Sequence, residues 1–93
     1  MPGDCESLRL IVQRVSENSS GRSLYRLIAY SDGRTYQPVN FTSLDDLTKR
    51  LKKALPDFDV NRFAEAKESG SSILFAEALE LSETQRSILG LRK

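Results

Sequence analysis

The sequence predicts an α+β fold: a three-stranded antiparallel β-meander followed by an amphipathic helix and short C-terminal helices. Three observations support this prediction. Segments rich in β-branched residues fill the first part of the chain, and Asp32-Gly33 lies between two of them as a hairpin signal. An amphipathic pattern then extends over residues 43–55. The 93 residues, 1–93, suffice for one small domain, in which we expect residues 1–7 to be frayed.

Two strands begin the predicted meander. Residues 8–15 are rich in β-branched side chains, and Leu8, Leu10 and Val12 share one face. A polar loop over residues 16–22 leads into the second strand at residues 23–31. The two strands are therefore predicted to pair as a hairpin.

The Asp32-Gly33 turn determines the register of the third strand. A two-residue turn pairs Ile28 with Gln37 and Leu24 with Phe41. In that register one face of the sheet, toward the helix, consists of Leu24, Ile28, Val39 and Phe41, and the outward face consists of Tyr25, Leu27, Tyr36 and Pro38. A one-residue bulge would exchange the two faces of the third strand. Pro38 cannot donate to a ladder and indicates either an edge strand or such a bulge.

The central helix is predicted from its cap, its charges and its apolar spacing. Ser43 is a good N-cap, and Asp46 lies three residues later, at the reciprocal position of a capping box. The apolar stripe consists of Leu44, Leu47, Leu51, Ala54 and Leu55. The pairs Asp45–Lys49 and Asp46–Arg50 have the favourable i,i+4 order, and Pro56 marks the end. Such a stripe needs a sheet or other helices to cover it.

Two further helices are predicted from their caps. Asp59 begins the first and Gly70 ends it. Its inner side is predicted to consist of Val60, Phe63, Ala64 and Lys67. Ser82 and Gln85 form a capping box for the last helix, which Gly90 closes. The apolar anchors of that helix are Ile88 and Leu89.

Residues 71–81 fit two kinds of structure. As a strand, the segment alternates apolar and polar side chains, but Glu77 interrupts the apolar face. As a helix, it has the favourable Ala, Leu and Glu content. We expect a helix there, with a strand as the alternative.

The composition excludes several functional classes. Lys and Arg number 14 against 13 Asp and Glu, and a net charge of +1 argues against a purely electrostatic hold on nucleic acid or anionic membrane. The chain has no histidine, which excludes His-based catalysis and His metal sites. Cys5 is the only cysteine, so no intramolecular disulfide can form, which fits a reducing compartment. Without a membrane-spanning run or a signal pattern, we expect a cytoplasmic protein that makes no membrane contact.

No set of residues in the sequence converges on catalysis. Asp45 and Asp46 are neighbours on a helix and point in different directions, so helix capping explains them. Asp57 and Asp59 are explained by a turn and a cap, and Cys5 has no neighbouring base. We therefore predict that the protein is not an enzyme and has no catalytic residue, cofactor-binding site or metal site.

Two groups of residues are candidates for binding. The densest positive charge consists of Lys49, Arg50, Lys52 and Lys53, which form either a solvated helix face or a contact for phosphate or an acidic partner. The candidate partner-binding residues on the sheet are Tyr25, Leu27 and Tyr36 with Arg26 and Arg34. Aromatic rings beside arginines on an open sheet can stack on bases or hold a peptide. The alternative is ordinary packing of the rings within the sheet.

Residues 8–55, three antiparallel strands followed by a helix, resemble in architecture the small βββα DNA-binding domains of integrase arms and of one class of plant transcription factors. The resemblance implies a sheet that enters the major groove, but it rests on no sequence motif, so no site residue is transferred. We expect instead a non-catalytic intracellular interaction module that binds a protein partner or a second copy through a sheet edge or face. The alternative is a nucleic-acid-binding domain that uses the Arg- and Tyr-bearing sheet face, with weak binding.

Overall fold

The computed structural model describes residues 5–16 and 23–92 and confirms the α+β fold, with an antiparallel sheet and three helices. The strands are β1 (Glu6–Ser16), β2 (Ser23–Ser31), β3 (Arg34–Thr35), β4 (Val39–Phe41) and β5 (Ile73–Leu81). The helices are α1 (Leu44–Ala54), α2 (Asn61–Glu68) and α3 (Glu83–Leu89). Strand β1 begins at Glu6, two residues before the start at Leu8 that the sequence predicts. Residues 1–4 and most of the predicted polar loop lie outside the described residues.

The sheet places the first strand in its interior. Strand β1 pairs antiparallel with β2 on one side and with β5 on the other, so Val12 lies between Leu27 and Phe75. Strands β3 and β4 follow one another along the free side of β2. Helices α1 and α2 then connect the β4 edge to the β5 edge. The helix expected over residues 71–81 is therefore wrong, and the alternative, a strand, is confirmed.

Glu77 interrupts the alternation of β5 for an identifiable reason. Its position on the sheet is opposite Leu10, on the face that the helices cover. The carboxylate of Glu77 forms an ion pair with Arg62 of α2. The guanidinium carbon of Arg62 also lies 4.8 Å from the centroid of the Phe75 ring. The polar residue on the apolar face of β5 thus joins the strand to a helix, and burial of the flanking apolar residues overrides helix propensity.

A one-residue bulge separates β3 from β4. The two-residue turn is confirmed, because Ser31 pairs with Arg34, and Gly33 has φ 76°. Farther along, however, Tyr25 pairs with Phe41, where an unbroken hairpin would pair Leu24 with it. The expected register beyond Tyr36 is therefore wrong, and the bulge that the sequence left open is present. The additional residue places the side chains of β4 on the face opposite to the one that an unbroken hairpin would give them.

The core lies between the sheet and the helices. Its largest fully buried side chains are Leu8, Leu10, Leu27, Leu47, Leu51, Leu81, Leu89 and Val12. Helix α1 begins as predicted, because the Ser43 hydroxyl accepts hydrogen bonds from the amides of Asp45 at 3.1 Å and Asp46 at 3.4 Å. The two central leucines of its stripe are completely buried. The stripe predicted from sequence is therefore the face that packs on the sheet.

The last helix begins and ends at its predicted caps, whereas the N-cap of α2 is Val60, one residue after the predicted Asp59. The Asp59 carboxylate accepts from the Asn61 amide at 3.0 Å before α2, and both bonds of the Ser82–Gln85 capping box are present before α3. Gly70 and Gly90 have positive φ after these helices. On α2, Phe63 is buried, but Ala64 and Lys67 are exposed, so the inward orientation predicted for those two residues is wrong. None of the three helices in the described ranges is long and apolar enough to cross a lipid bilayer.

Candidate functional site

The predicted aromatic binding face is buried beneath the helices. Tyr25 is 9% exposed, Tyr36 is 3% exposed and Leu27 is fully buried. Leu27 lies opposite Val12, so the odd-numbered residues of β2 share the core face of β1. The bulge turns the adjacent Phe41 to the same side. The prediction that Tyr25, Leu27 and Tyr36 face outward is therefore wrong, and no partner can reach them there without displacing the helices.

Arg34 and Tyr36 belong instead to a polar cluster at one end of the sheet. The Tyr36 hydroxyl donates a hydrogen bond to the Glu6 carboxylate. Arg34 and Arg86 place guanidinium nitrogens 3.6 Å and 3.8 Å from the same carboxylate, and the Ser31 hydroxyl donates to it at 3.4 Å. Burial, together with the Glu6 carboxylate, raises the pKa of the Tyr36 hydroxyl. The cluster holds β1, β2, β3 and α3 together.

Arg26 lies on the other side of the sheet, which we call the open face. The open face is defined by Arg9, Ile11, Gln13, Arg26, Ile28, Tyr30, Ile73, Ala76 and Ala78. The residue opposite Arg9 on β2 is Tyr30, and the residue opposite Ile11 is Ile28. Within the described ranges, the buried residues of α1, α2 and α3 all join the core on the far side of the sheet. The open face therefore remains uncovered by these helices.

The open face has an aliphatic centre and two exposed corners. Ile28, Ile11 and Ala76 form a row across three neighbouring strands. Tyr30, 38% exposed, and Ile73, 41% exposed, lie at diagonally opposite corners and are the large hydrophobic side chains most open to solvent in the described chain. An antiparallel sheet with one solvated face normally has polar residues on that face. The apolar row is thus a surface that another molecule could bury.

The open face has few charges, two arginines and one glutamate. The Arg26 guanidinium donates to the Asn40 side-chain oxygen at 3.1 Å, which fixes its orientation at the β4 side of the face. Arg9 lies in the row between Tyr30 and Ala78, beside a shallow depression of about 280 Å³. Glu80 is exposed on the same face, one strand away from Ser7. This arrangement suits a flat partner with a mainly apolar centre and polar edges.

Sequence reasoning missed Ile11, Tyr30 and Ile73 as surface residues. The signal was available in β1, because a core face of Leu8, Leu10 and Val12 places the intervening residues on the opposite side. Extending that alternation through the hairpin would have assigned Ile28 and Tyr30 to the same surface. Ile73 was not accessible in this way, because its segment was expected to be a helix.

Comparisons of the chain with protein-family models, with curated proteins and with solved structures found no match in any of the three. The architectural resemblance to three-stranded DNA-binding domains extends from β1 to α1 only, since β5 adds a strand beside β1. No group of three or more Cys, Asp and Glu side chains in the described ranges is arranged to hold a metal ion.

Proposed function

We propose that the protein is a non-catalytic, cytoplasmic interaction module that binds another protein, or a second copy of itself, through the open face. The observation that supports this proposal is the aliphatic row Ile28–Ile11–Ala76 with exposed Tyr30 and Ile73 at its corners. Contiguous exposed apolar patches are rare on monomeric proteins above a few hundred Å², and larger ones mark interaction sites. Tyrosine and arginine are also enriched among the residues that dominate binding energy at protein interfaces.

The size of the open face suggests a small interface. Strands β2 and β5 each contain nine residues. Four strand positions about 4.8 Å apart, with a rise of about 3.4 Å per residue, give the face an area of roughly 600 Å². Burying that area on each partner removes roughly 1,200 Å² in total, which is at the lower limit of standard protein interfaces. We therefore expect binding that is reversible and of moderate affinity.

Nucleic-acid binding is a second candidate, because Arg9 lies directly opposite Tyr30 on neighbouring strands. A base could stack on the Tyr30 ring while the Arg9 guanidinium contacts a phosphate. The open face has a second arginine, Arg26, but Glu80 lies on the same surface. A net charge of +1 for the chain provides little general attraction for a polyanion. We therefore rank this candidate below protein binding.

Site-specific photo-crosslinking in cells tests the proposal. A photoreactive phenylalanine analogue replaces Tyr30 on the open face or, as a control, Glu65, which is exposed on α2. We expect a discrete crosslinked protein from position 30 but not from position 65, and loss of that product when Ile11→Glu is added. Crosslinks to nucleic acid from position 30 would favour the second candidate. Equal labelling from both positions would refute a specific role for the open face.

A further inference from the structure

The groove between β4 and α1 contains the basic cluster of the sequence. We call it the basic groove. It has a volume of about 480 Å³ and is lined on one side by Val39, Asn40, Phe41 and Thr42, and on the other by Asp46, Lys49, Arg50 and Lys53. The four α1 residues have the spacing i, i+3, i+4 and i+7, so they share one side of the helix. Lys52, in the same cluster of the sequence, does not line the groove.

The main chain of β4 faces the basic groove. The Ala29 carbonyl accepts from the Tyr36 amide at 3.0 Å, so alternate residues of β2 direct their backbone groups toward β4. Tyr25 and Leu27 therefore form the hydrogen-bonded pairs with β4, and the amide and carbonyl of Asn40 point away from β2. An exposed strand edge of this kind is a template for another strand.

The main chain just before β4 already forms one hydrogen bond on this outer side. The Gln37 amide, three residues before Asn40, donates to the Arg92 carbonyl at 2.7 Å. A methyl group added at Gly90, just before that segment, would lie 3.8 Å from the Val39 side chain. The bulge at residues 36–38 thus has the chain segment that follows α3 beside it. Past Val39 the edge opens into the basic groove.

The charges in the groove indicate which segment could pair there. Among the residues that line the groove, three cations face a single acid, Asp46. The Lys49 ammonium also lies 3.3 Å from the carboxylate of Asp45, which is exposed and does not line the groove. Arg50 is held in place, because its guanidinium lies 5.9 Å from the Phe41 ring centroid and donates to the Ile88 carbonyl at 3.0 Å. Two copies of this edge would bring like charges together, which opposes self-pairing. An acidic strand would be attracted instead.

We propose that the β4 edge binds an extended acidic segment of a partner protein, which adds a strand beside β4 and places carboxylates against Lys49 and Lys53. Main-chain hydrogen bonds at Asn40 supply part of the affinity, and the α1 cations select acidic side chains. The dimensions agree, because the eight helical residues from Asp46 to Lys53 span about 10 Å along the helix axis, the length of about three strand residues. None of the residues that define the open face lines the basic groove, although the Asn40 side chain contacts Arg26 at the border of the two surfaces. Each proposal is therefore decided by its own measurement.

The probe is a fluorescent ten-residue peptide of alternating valine and glutamate, titrated with the whole chain and followed by fluorescence anisotropy. We expect Lys53→Glu to weaken binding about fivefold to tenfold at 0.05 M salt, where a reversed contact charge is little screened. The matched control is Lys52→Glu, which makes the same charge change in the same last turn of α1 but outside the groove. We expect less than a twofold change for it. Equal weakening by the two variants would overturn the proposal.

A second experiment separates strand addition from simple charge attraction. Two versions of the peptide are prepared, one N-methylated at its odd-numbered residues and the other at its even-numbered residues. Because alternate amides of a strand point to opposite sides, each version lacks the hydrogen-bond donors of one edge of the peptide. We expect at least one version to lose tenfold or more in affinity, and the Ile11→Glu variant of the open face to bind the unmodified peptide unchanged. Full affinity of both methylated peptides would overturn the proposal. So would displacement of the peptide by a single-stranded oligonucleotide that binds more tightly.

Discussion

Replacing Leu51 by alanine tests whether α1 is the main support of the core. Leu51 is fully buried in the middle of the α1 stripe. Losing three carbon groups at about 0.8 kcal/mol each removes about 2.4 kcal/mol of transfer free energy. A residual cavity of about 50 Å³ adds about 1.2 kcal/mol. The expected loss of about 3.6 kcal/mol is a large part of the roughly 5–14 kcal/mol typical of a chain of 93 residues.

Urea denaturation followed by circular dichroism measures this loss. With a slope of about 1–3 kcal/mol per M, the midpoint should fall by roughly 1–4 M. The adjacent exposed residue gives a matched control, since Lys52→Ala should change the free energy of unfolding by no more than about 0.5 kcal/mol. Leu47→Ala should resemble Leu51→Ala, because Leu47 is also fully buried. Losses well under about 1 kcal/mol for both leucine variants would refute the role assigned to the stripe.

Three further predictions concern the sheet end, the last helix and DNA. Folding raises the pKa of the Tyr36 hydroxyl above its usual value of about 10. The protonated hydroxyl therefore contributes fully to the free energy of unfolding below pH ~10, and this contribution is lost as the pH rises through the pKa of the folded state. Tyr36→Phe should therefore be less stable than the original chain at pH 8, with a smaller difference at pH 11; an unchanged difference would contradict the assignment. Gly90→Ala should lower the free energy of unfolding by about 1–2 kcal/mol in urea titrations, since Gly90 has φ 78° and the added methyl group meets only ordinary contacts. Duplex DNA at about 0.15 M salt should bind with a dissociation constant above the micromolar range by fluorescence anisotropy, and tight, salt-sensitive binding would instead support the nucleic-acid candidate.

Local signals in the sequence predicted the beginnings and ends of elements well. The Asp32-Gly33 turn, the Ser43 cap and the Ser82–Gln85 capping box all form as expected. Each depends on residues within a few positions of one another, so the sequence pattern contains the whole interaction. The same holds for the α1 stripe, whose period alone identifies the buried side.

Features that depend on distant residues were predicted incorrectly. The bulge before β4 coincides with the bond from Gln37 to Arg92 and with the bond from Tyr36 to Glu6, and neither pair is close in sequence. In the sequence, Glu77 interrupts the apolar face of a strand, and only its ion pair with Arg62 of α2, 15 positions earlier, explains why it lies there. Because a shift of one residue exchanges the faces of a strand, these errors moved the expected binding site to the buried side of the sheet.

The interior position of β1 has a consequence for how the chain folds. Glu6 pairs with Leu81, 75 positions later, and Val12 pairs with Phe75. Closing such distant pairs costs loop entropy before any contact is gained, so folding should be slow for a domain of this size. Until β5 docks, one edge of β1 stays unpaired, and an unpaired strand edge favours aggregation of the partly folded chain. Truncation before Ile73 would make that state permanent, so the last strand protects the first.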